Sequence, residues 1–340
     1  MIRVQRIQPI HFFYGLVLFI GLCFFPFKEA FSASKPAYNV CLALGAGGLG
    51  DRAFNDSAYE GLYKANRELG IRFRVVEYRG KSEQVFNLFQ AAQEGYDLII
   101  GIGFENGPPI KEVAVKFPRM KFALIDTSIE GPNISSVVFR ELEADFLAGA
   151  LCALLSATGT VGFLGGADIP VIRRIEFGWR QGILYIDPKT SVVSEYAGGR
   201  DDFSAFNKPD LGQKLAEKML QGQADIIYAA AGGTDLGAIR AAQERKKMII
   251  TTGTDRRWMA PEAVIASRIK NVDVAVYKLL EELKADRLKA GVKILDLKTG
   301  GVGITELKHK KVPIEIREKI ADLYQKVVSG KIKIKEFPAE

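Results

Sequence analysis

The chain has 340 residues, of which 48% are hydrophobic and 26% are charged, and its formal net charge at pH 7 is +7. This balance is typical of a folded globular protein and excludes a disordered or collagen-like chain. The length allows about two domains of ordinary size. The basic residues are scattered, with denser runs only at KHKK and KIKIKEF, so we expect solvated faces and no nucleic-acid partner.

Residues 1–34 are predicted to be a signal peptide. Two arginines precede an apolar stretch at 12–27, and small residues follow at 30 and 32–34, which is the order of a secretory signal. A retained membrane anchor is the alternative, because the apolar stretch is marginally long enough to span a bilayer. Cys23 would suit lipid attachment, but Leu22 stands where such a site has a small residue. We therefore expect an exported protein that is periplasmic or extracytoplasmic.

From Asn39 onward, apolar strand-like runs alternate with amphipathic helical runs. The first cycle consists of the strand YNVCLALG, the helix SAYEGLYKANRELG, the strand RFRVVEYR, the helix SEQVFNLFQAAQEG, the strand YDLIIGIGF, the helix IKEVAVKFP and the strand KFALIDT. The second cycle consists of ISSVVF, ELEADFLAGALCALLSAT, TVGFLGG, VIRRIEFGWRQGILYI, SVVSEYA, LGQKLAEKMLQG, ADIIYAAAGG, DLGAIRAAQERK and KMIITTGTD, again beginning with a strand. This alternation requires parallel sheets with helices on both faces.

Two successive α/β units predict two lobes with a cleft between them. The helix VDVAVYKLLEELKA and the glycine-rich LKTGGVGITEL return the chain at its end. We therefore assign 35–141 plus about 272–307 to an N-terminal lobe, and 142–271 plus about 308–340 to a C-terminal lobe. Ligands of open α/β sheets bind beyond the carboxyl ends of the strands, and clefts between domains are favoured binding sites.

The cysteines and histidines argue against many enzyme classes. One histidine, His11, lies in the signal, and the other, His309, lies in a basic C-terminal run. The body of the protein therefore has no internal histidine for a catalytic triad, a Cys–His pair or a histidine-rich metal site. Cys41 and Cys152 lie in apolar runs and are expected to be buried free thiols. We expect no metal, no cofactor and no catalytic residue.

Glycines at 45, 47 and 50 have the G-x-G-x-x-G spacing of a dinucleotide-binding turn. A cofactor site needs the third glycine to open the helix, whereas the better helix start here lies at 55–57. The acid expected about 20 residues further on is also misplaced, because Glu77 comes later. The glycines are therefore predicted to form a loop before the helix.

The stretch GDRAFNDSAYEGL at 50–62 resembles the signature of the basic membrane protein family, the PnrA-like nucleoside-binding proteins of ABC importers. The resemblance continues through PPIKEVAVKFPRMKFALIDT, NISSVVFRELEADFLAGALCALLSATGTVGFLGGADIPVIRRIEFGWRQG, ADIIYAAAGGTDLGAIRAAQE and SRIKNVDVAVY, and covers nearly all of 39–307. It implies a two-lobed type I periplasmic-binding-protein fold, each lobe a parallel sheet flanked by helices. It also implies a purine nucleoside ligand, an ABC permease as partner and a monomer.

The resemblance implies that aromatic rings hold the ligand. Phe54 and Asn55 stand at the tip between the first strand and the first helix, where a ring stacks on a base and an amide pairs with its edge; Asp51 precedes them. The alternative is a staple residue with a helix N-cap. Phe206, in SAFNKPDLG, offers a second ring, and Phe203 is its rival. Stacking contributes about 1–3 kcal/mol per base.

The remaining candidates follow the strands of the predicted sheets. Asp126 ends KFALID, and Gly232 and Gly233 end ADIIYAAAGG, where glycine allows close approach of the backbone to a ligand. The resemblance implies that Asp255 receives the ribose hydroxyls with Lys270 as its cationic companion. The alternatives are a turn cap at Asp126 and an ordinary surface ion pair between Asp255 and Lys270.

Two positions depart from the family pattern. Gly45-Ala46-Gly47 stands where the family commonly has an acid, and Asp235 stands where it usually has a glycine, which adds charge near the cleft. The missing carboxylate removes an expected partner of the base or the sugar, so flavins and other aromatic solutes stay open as ligands.

The leading prediction is a solute-binding receptor that closes over an intact ligand by hinge motion. The first alternative is an exported enzyme that acts on nucleosides with Asp51, Asp126 or Asp255 as its acid or base. The second alternative is a ligand-sensing partner of a membrane signalling protein.

Overall fold

The computed structural model describes residues 38–45, 47–78 and 81–338. The predicted signal peptide lies outside the described residues. The first lobe begins as the alternation predicts. Its elements are β1 (Asn39–Ala43), α1 (Phe54–Leu69), β2 (Arg72–Val76), α2 (Lys81–Gln93), β3 (Leu98–Ile102), α3 (Gly107–Lys116), β4 (Lys121–Ile125) and β5 (Ile134–Phe139).

The second lobe repeats the pattern. Its elements are α4 (Glu141–Leu155), β6 (Thr160–Ala167), α5 (Pro170–Ile186), β7 (Ser191–Gly198), α6 (Pro209–Gln221), β8 (Ile226–Ala230), α7 (Asp235–Glu244), β9 (Met248–Gly253) and β10 (Val264–Lys270). The chain then continues through α8 (Val272–Lys284), β11 (Gly291–Leu295), β12 (Val302–Ile304) and α9 (Ile314–Val328).

The strands form two six-stranded sheets within the described residues. The first sheet has the order β11-β5-β4-β3-β1-β2 and the second has the order β12-β10-β9-β8-β6-β7. All pairs of the first sheet are parallel, and β12 adds an antiparallel edge to the otherwise parallel second sheet. Each lobe is therefore a sheet flanked by helices, as predicted.

The last strands correct one predicted boundary. We expected all of 272–307 in the first lobe, but 302–304 pairs with β10 in the second sheet. The chain can cross over in so few residues because a tight turn follows β11, in which the Thr299 N–H donates to Asp296 Oδ1 at 2.7 Å. The lobes are thus joined three times, between β5 and α4, between β10 and α8, and between β11 and β12.

The core follows from continuous apolar strands, since β3 is buried along its whole length. Helices α4 and α5 pack with their backbones almost in contact. A Cβ at Gly149 would lie 1.9 Å from the Trp179 carbonyl oxygen, and one at Gly182 would lie 1.9 Å from that of Phe146. Glycine is therefore required at this helix crossing. No helix of the described residues combines the length and the apolar character needed to cross a membrane.

Candidate functional site

A cavity lies between the two lobes, at the edge where strands of both sheets end. It contains about 760 Å³ of space between atoms, part of which is open solvent. Its walls come from the segments after β1, β3 and β4, from the ends of β8, β9 and β10, and from the start of α5. This is the position expected for a ligand of open parallel sheets.

The cavity brings together seven of the nine predicted ligand residues. These are Asp51, Phe54, Asn55, Asp126, Phe206, Gly232 and Lys270. Gly233 and Asp255 lie outside the lining. The binding roles of all nine stay predictions, and some of the nine also hold the walls of the cavity through their own hydrogen bonds.

Asp51 and Asn55 hold the loop that precedes α1. The Asp51 carboxylate accepts the backbone N–H groups of Ala53, Asn55 and Asp56 at 2.8, 2.9 and 3.2 Å, and the Asn55 side-chain amide at 3.1 Å. The Asn55 side-chain oxygen accepts the Gly45 N–H at 2.7 Å. Because the Asp51 carboxylate accepts the N–H groups at the helix N-terminus, α1 begins at residue 54, one to three residues before the predicted start at 55–57.

Asp126 and Lys270 meet across the cleft. The Lys270 ammonium pairs with the Asp126 carboxylate and with Glu141 Oε1, the latter at 2.7 Å. It also lies 5.2 Å from the centre of the Phe54 ring and 5.0 Å from that of Phe139. The predicted pairing of Lys270 with Asp255 is therefore wrong in this structure, because the end of β10 faces the end of β4.

The backbone and the charge of Asp126 are both unusual. Its φ is +87°, a conformation that an L residue other than glycine rarely adopts and that is concentrated at functional sites. Burial raises the pKa of Asp126, although Lys270 opposes the shift. Burial also disfavours ionised Glu141, yet Lys270 and Arg174 together lower the pKa of Glu141 to about 2. The cluster thus keeps one firmly ionised acid and one acid that takes up a proton more readily.

Asp255 has another partner. Its carboxylate accepts Arg257 Nε and Nη2 at 2.9 and 2.6 Å, and 45% of its side chain is exposed. These hydrogen bonds hold the pKa of Asp255 below its usual range. The ribose role predicted for this residue thus receives no support from its position.

Phe206 supplies the ring of the second lobe. The space for this ring exists because residue 166 is glycine: a Cβ there would lie 2.3 Å from Phe206 Cε1. Its backbone passes Gly232, whose φ is +61°. Phe203, the rival candidate, instead packs edge-on against Phe104 of the other lobe, with the ring centres 5.5 Å apart.

Several lining residues were not predicted from the sequence, and two groups of them determine the shape and the charge of the cavity. One is an aliphatic wall of Ile169, Val171, Ile172 and Ile175, whose spacing along the start of α5 could have indicated a common face. The other is Glu105, in the short 3-10 turn Phe104–Asn106 between β3 and α3. Its position directly after a buried strand was the available signal.

Behind the cavity, Arg256 joins the two lobes. Its buried guanidinium donates to Asp235 Oδ2 at 3.0 Å and to the Gly232 carbonyl at 3.2 Å in its own lobe. It also donates to the carbonyl oxygens of Arg52 and Asp51 in the first lobe, at 3.0 and 2.8 Å. Asp235 is fully buried and pairs with Arg256, so its charge lies near the cleft as expected but is compensated and does not line the cavity. Burial raises the pKa of Asp235 to about 6 against the effect of Arg256.

The described residues offer no group of three or more histidine, cysteine, aspartate or glutamate side chains placed to hold a metal ion. Cys41 and Cys152 are buried free thiols. Burial raises the pKa of both thiols to about 12, so neither is a reactive thiolate.

A cavity between two parallel-sheet lobes that are joined by three crossings defines the class of periplasmic binding proteins. The solved structure of an ABC transporter solute-binding protein from Aeropyrum pernix K1 matches with a TM-score of 0.78 and 30% identity, over 87% of this chain and 92% of that chain. A glucose-galactose binding protein from Geobacillus stearothermophilus has the same fold, with a TM-score of 0.57 and 18% identity over 80% of this chain and 98% of its own.

The sequence comparisons show the family. Residues 40–337 match the model of the PnrA-like ABC transporter substrate-binding proteins, and the chain belongs to this family. A CD4+ T-cell-stimulating antigen of Listeria monocytogenes is 31% identical over 92% of each chain. Basic membrane protein A of Borreliella burgdorferi is 31% identical over 83% of each chain.

Proposed function

We propose that the protein captures a nucleoside-like solute in the interlobe cavity and presents it, unchanged, to an ABC permease. The observation that carries the proposal is the composition of the cavity. Two rings, Phe54 and Phe206, come from opposite lobes, an aliphatic wall lies along α5, and the Asp126–Lys270 pair supplies charge. A flat ring with a hydroxylated appendage suits this combination.

The energetics of the site support a small solute. Stacking contributes about 1–3 kcal/mol per base, and each hydrogen bond to a charged group contributes about 1.5–3 kcal/mol. Two rings and a few such bonds reach the −8 kcal/mol or so of micromolar binding.

Transport requires that the lobes separate and close. The three crossings between the lobes are short, which suits a hinge, and the Arg256 and Lys270 contacts stabilise the closed arrangement. We place the protein outside the cytoplasm, because its family serves ABC transporters and a relative in Pyrococcus furiosus is named a lipoprotein. The permease of an ABC importer would then be its partner.

Mass spectrometry of material that copurifies with the protein, followed by calorimetry with nucleosides, free bases and sugars, tests the proposal. We expect nucleosides to bind with micromolar or tighter dissociation constants and to be recovered intact after prolonged incubation. A protein that binds sugars but no nucleoside, or that releases free base from a nucleoside, would refute it.

A further inference from the structure

Two cations of β10 line the cavity from the second lobe. Arg268 and Lys270 are two residues apart on this strand, so their side chains leave the same face of the sheet, and both belong to the cavity wall. On α4, Glu141 and Asp145 are about one helical turn apart and share a face. The two spacings match, because two residues of a strand and four of a helix each advance about 6–7 Å. Lys270 consequently pairs with Glu141, and Arg268 pairs with Asp145.

The two acids lie behind the cations. Neither Glu141 nor Asp145 lines the cavity, and each is at most 1% exposed. Nε of Arg268 lies 2.9 Å from Asp145 Oδ1 and donates to the Tyr228 hydroxyl oxygen at 3.2 Å. The Tyr228 hydroxyl in turn donates to Asp145 Oδ1 at 2.5 Å. The guanidinium is therefore fixed from behind through Nε, on the side away from the cavity.

The two Nη groups of Arg268 are the part of this side chain that is left for a solute. Neither has a hydrogen-bond partner among the described residues, and neither is sealed from solvent, in contrast to Asp145 Oδ2. Since the side chain is only 2% exposed and lines the cavity, this small accessible surface faces the cavity. Lys270 differs, because its ammonium already pairs with Asp126 and Glu141. A solute that covers the Nη groups must supply acceptors, since an unsatisfied buried donor is costly.

We propose that Arg268 forms a subsite for an anionic oxygen group, a phosphate or a carboxylate, on the appendage of the solute. This inference rests on the proposed function and makes the solute an acidic derivative of a nucleoside. The planar guanidinium presents paired N–H groups that match two oxygens of such a group. Burial raises the pKa of Asp145 to about 7, against the effects of Arg268 and Tyr228, so Asp145 compensates the arginine charge incompletely near neutral pH. The subsite therefore favours a charged acceptor over a hydroxyl group.

Calorimetry at pH 7 with adenosine, adenosine 5′-monophosphate and adenosine 5′-carboxylic acid tests this inference, because the three probes differ only at the 5′ position. We expect the native protein to bind at least one of the acids about tenfold or more tightly than adenosine. In Arg268→Met/Asp145→Asn, which removes both charges and leaves an acceptor for Tyr228, this preference should fall below about threefold. Arg240→Met/Asp210→Asn is the matched control, because this pair lies at the surface, outside the cavity lining, and should keep the native preference.

Arg268→Lys provides a second route, since it keeps a cation opposite Asp145 and so avoids an uncompensated buried acid. Its ammonium lacks the paired N–H groups, so the preference for the acids should fall at least about threefold. Circular dichroism establishes that each variant is folded. A native protein that binds adenosine as tightly as both acids, or folded variants that keep the full preference, would overturn the role of Arg268 while leaving nucleoside binding intact. A native protein that binds none of the three probes and no other nucleoside would overturn the proposed function and this inference together.

Discussion

Replacing Arg256 with methionine removes the one buried guanidinium that bonds to both lobes behind the cavity in the described structure. The side chain is less than 2% exposed, and it donates to Asp235 and to three backbone carbonyl oxygens. Methionine preserves the apolar stem but satisfies none of these acceptors. It therefore leaves Asp235 as a buried acid that retains only the Ala231 N–H, at 2.8 Å, among its described partners.

The expected loss is about 3–5 kcal/mol in the free energy of unfolding at pH 8, the usual effect of breaking a buried ion pair. It should be smaller at pH 5. The pKa of Asp235 is already raised to about 6 with Arg256 in place, and it rises further without the guanidinium. Protonation at low pH then removes the uncompensated charge, so the variant recovers relative to the native protein as the pH falls.

Urea unfolding followed by circular dichroism at pH 5 and pH 8 measures both effects. Arg257→Met is the matched control, because the neighbouring arginine pairs with Asp255 at the surface, where both side chains are at least 33% exposed. Such a pair contributes about 0–1 kcal/mol. A loss for Arg256→Met no larger than that of the control, or one that is equal at the two pH values, would refute the reasoning.

Three further predictions concern the cavity. Phe206→Ala should weaken nucleoside binding by about 1–3 kcal/mol in calorimetry without lowering the thermal midpoint by more than a few degrees; unchanged affinity would exclude stacking. Gly166→Ala should produce a similar loss, since its Cβ would lie 2.3 Å from the Phe206 ring, and full affinity would show that the ring position is unimportant. Burial raises the pKa of Asp126. The affinity for nucleosides should therefore be highest at pH values above this raised pKa and should fall as the pH drops through it. The Asp126→Asn variant should show no such pH dependence.

The sequence was sufficient to predict the α/β alternation and the place of the site. Parallel strands align their carboxyl ends, so Phe54, Asp126 and Phe206, which follow predicted strands, meet in one cavity. Lys270 joins them at the end of β10, a strand that was not predicted. The short edge strand at 302–304 escaped prediction, because its pairing depends on a turn that has little signature in the sequence.

Side-chain partners were harder to predict than positions. Lys270 was paired with Asp255 on the family pattern, but the partner in the structure is decided by which strand ends face each other across the cleft. Asp255 instead pairs with Arg257, only two residues further on. No hydrophobic periodicity in the sequence indicates that a nearby arginine takes this carboxylate in place of Lys270. Glu105 follows a buried strand, but it was missed because the sequence does not show whether an acid in such a short 3-10 turn faces the cavity or the solvent.

The contacts that connect the lobes and the residues that line the cavity belong to the same network. Lys270 reaches Asp126 while lying over the Phe54 ring, and Arg256 bonds to the backbone of Asp51, the residue that holds the loop before α1. If the lobes close by the proposed hinge, closure would assemble the wall that a solute meets, and a solute that contacts both lobes would gain affinity in the closed state. Because such a solute would shift the balance between open and closed forms by its differential affinity alone, we expect weakening of the Arg256 bonds to lower affinity without touching the solute.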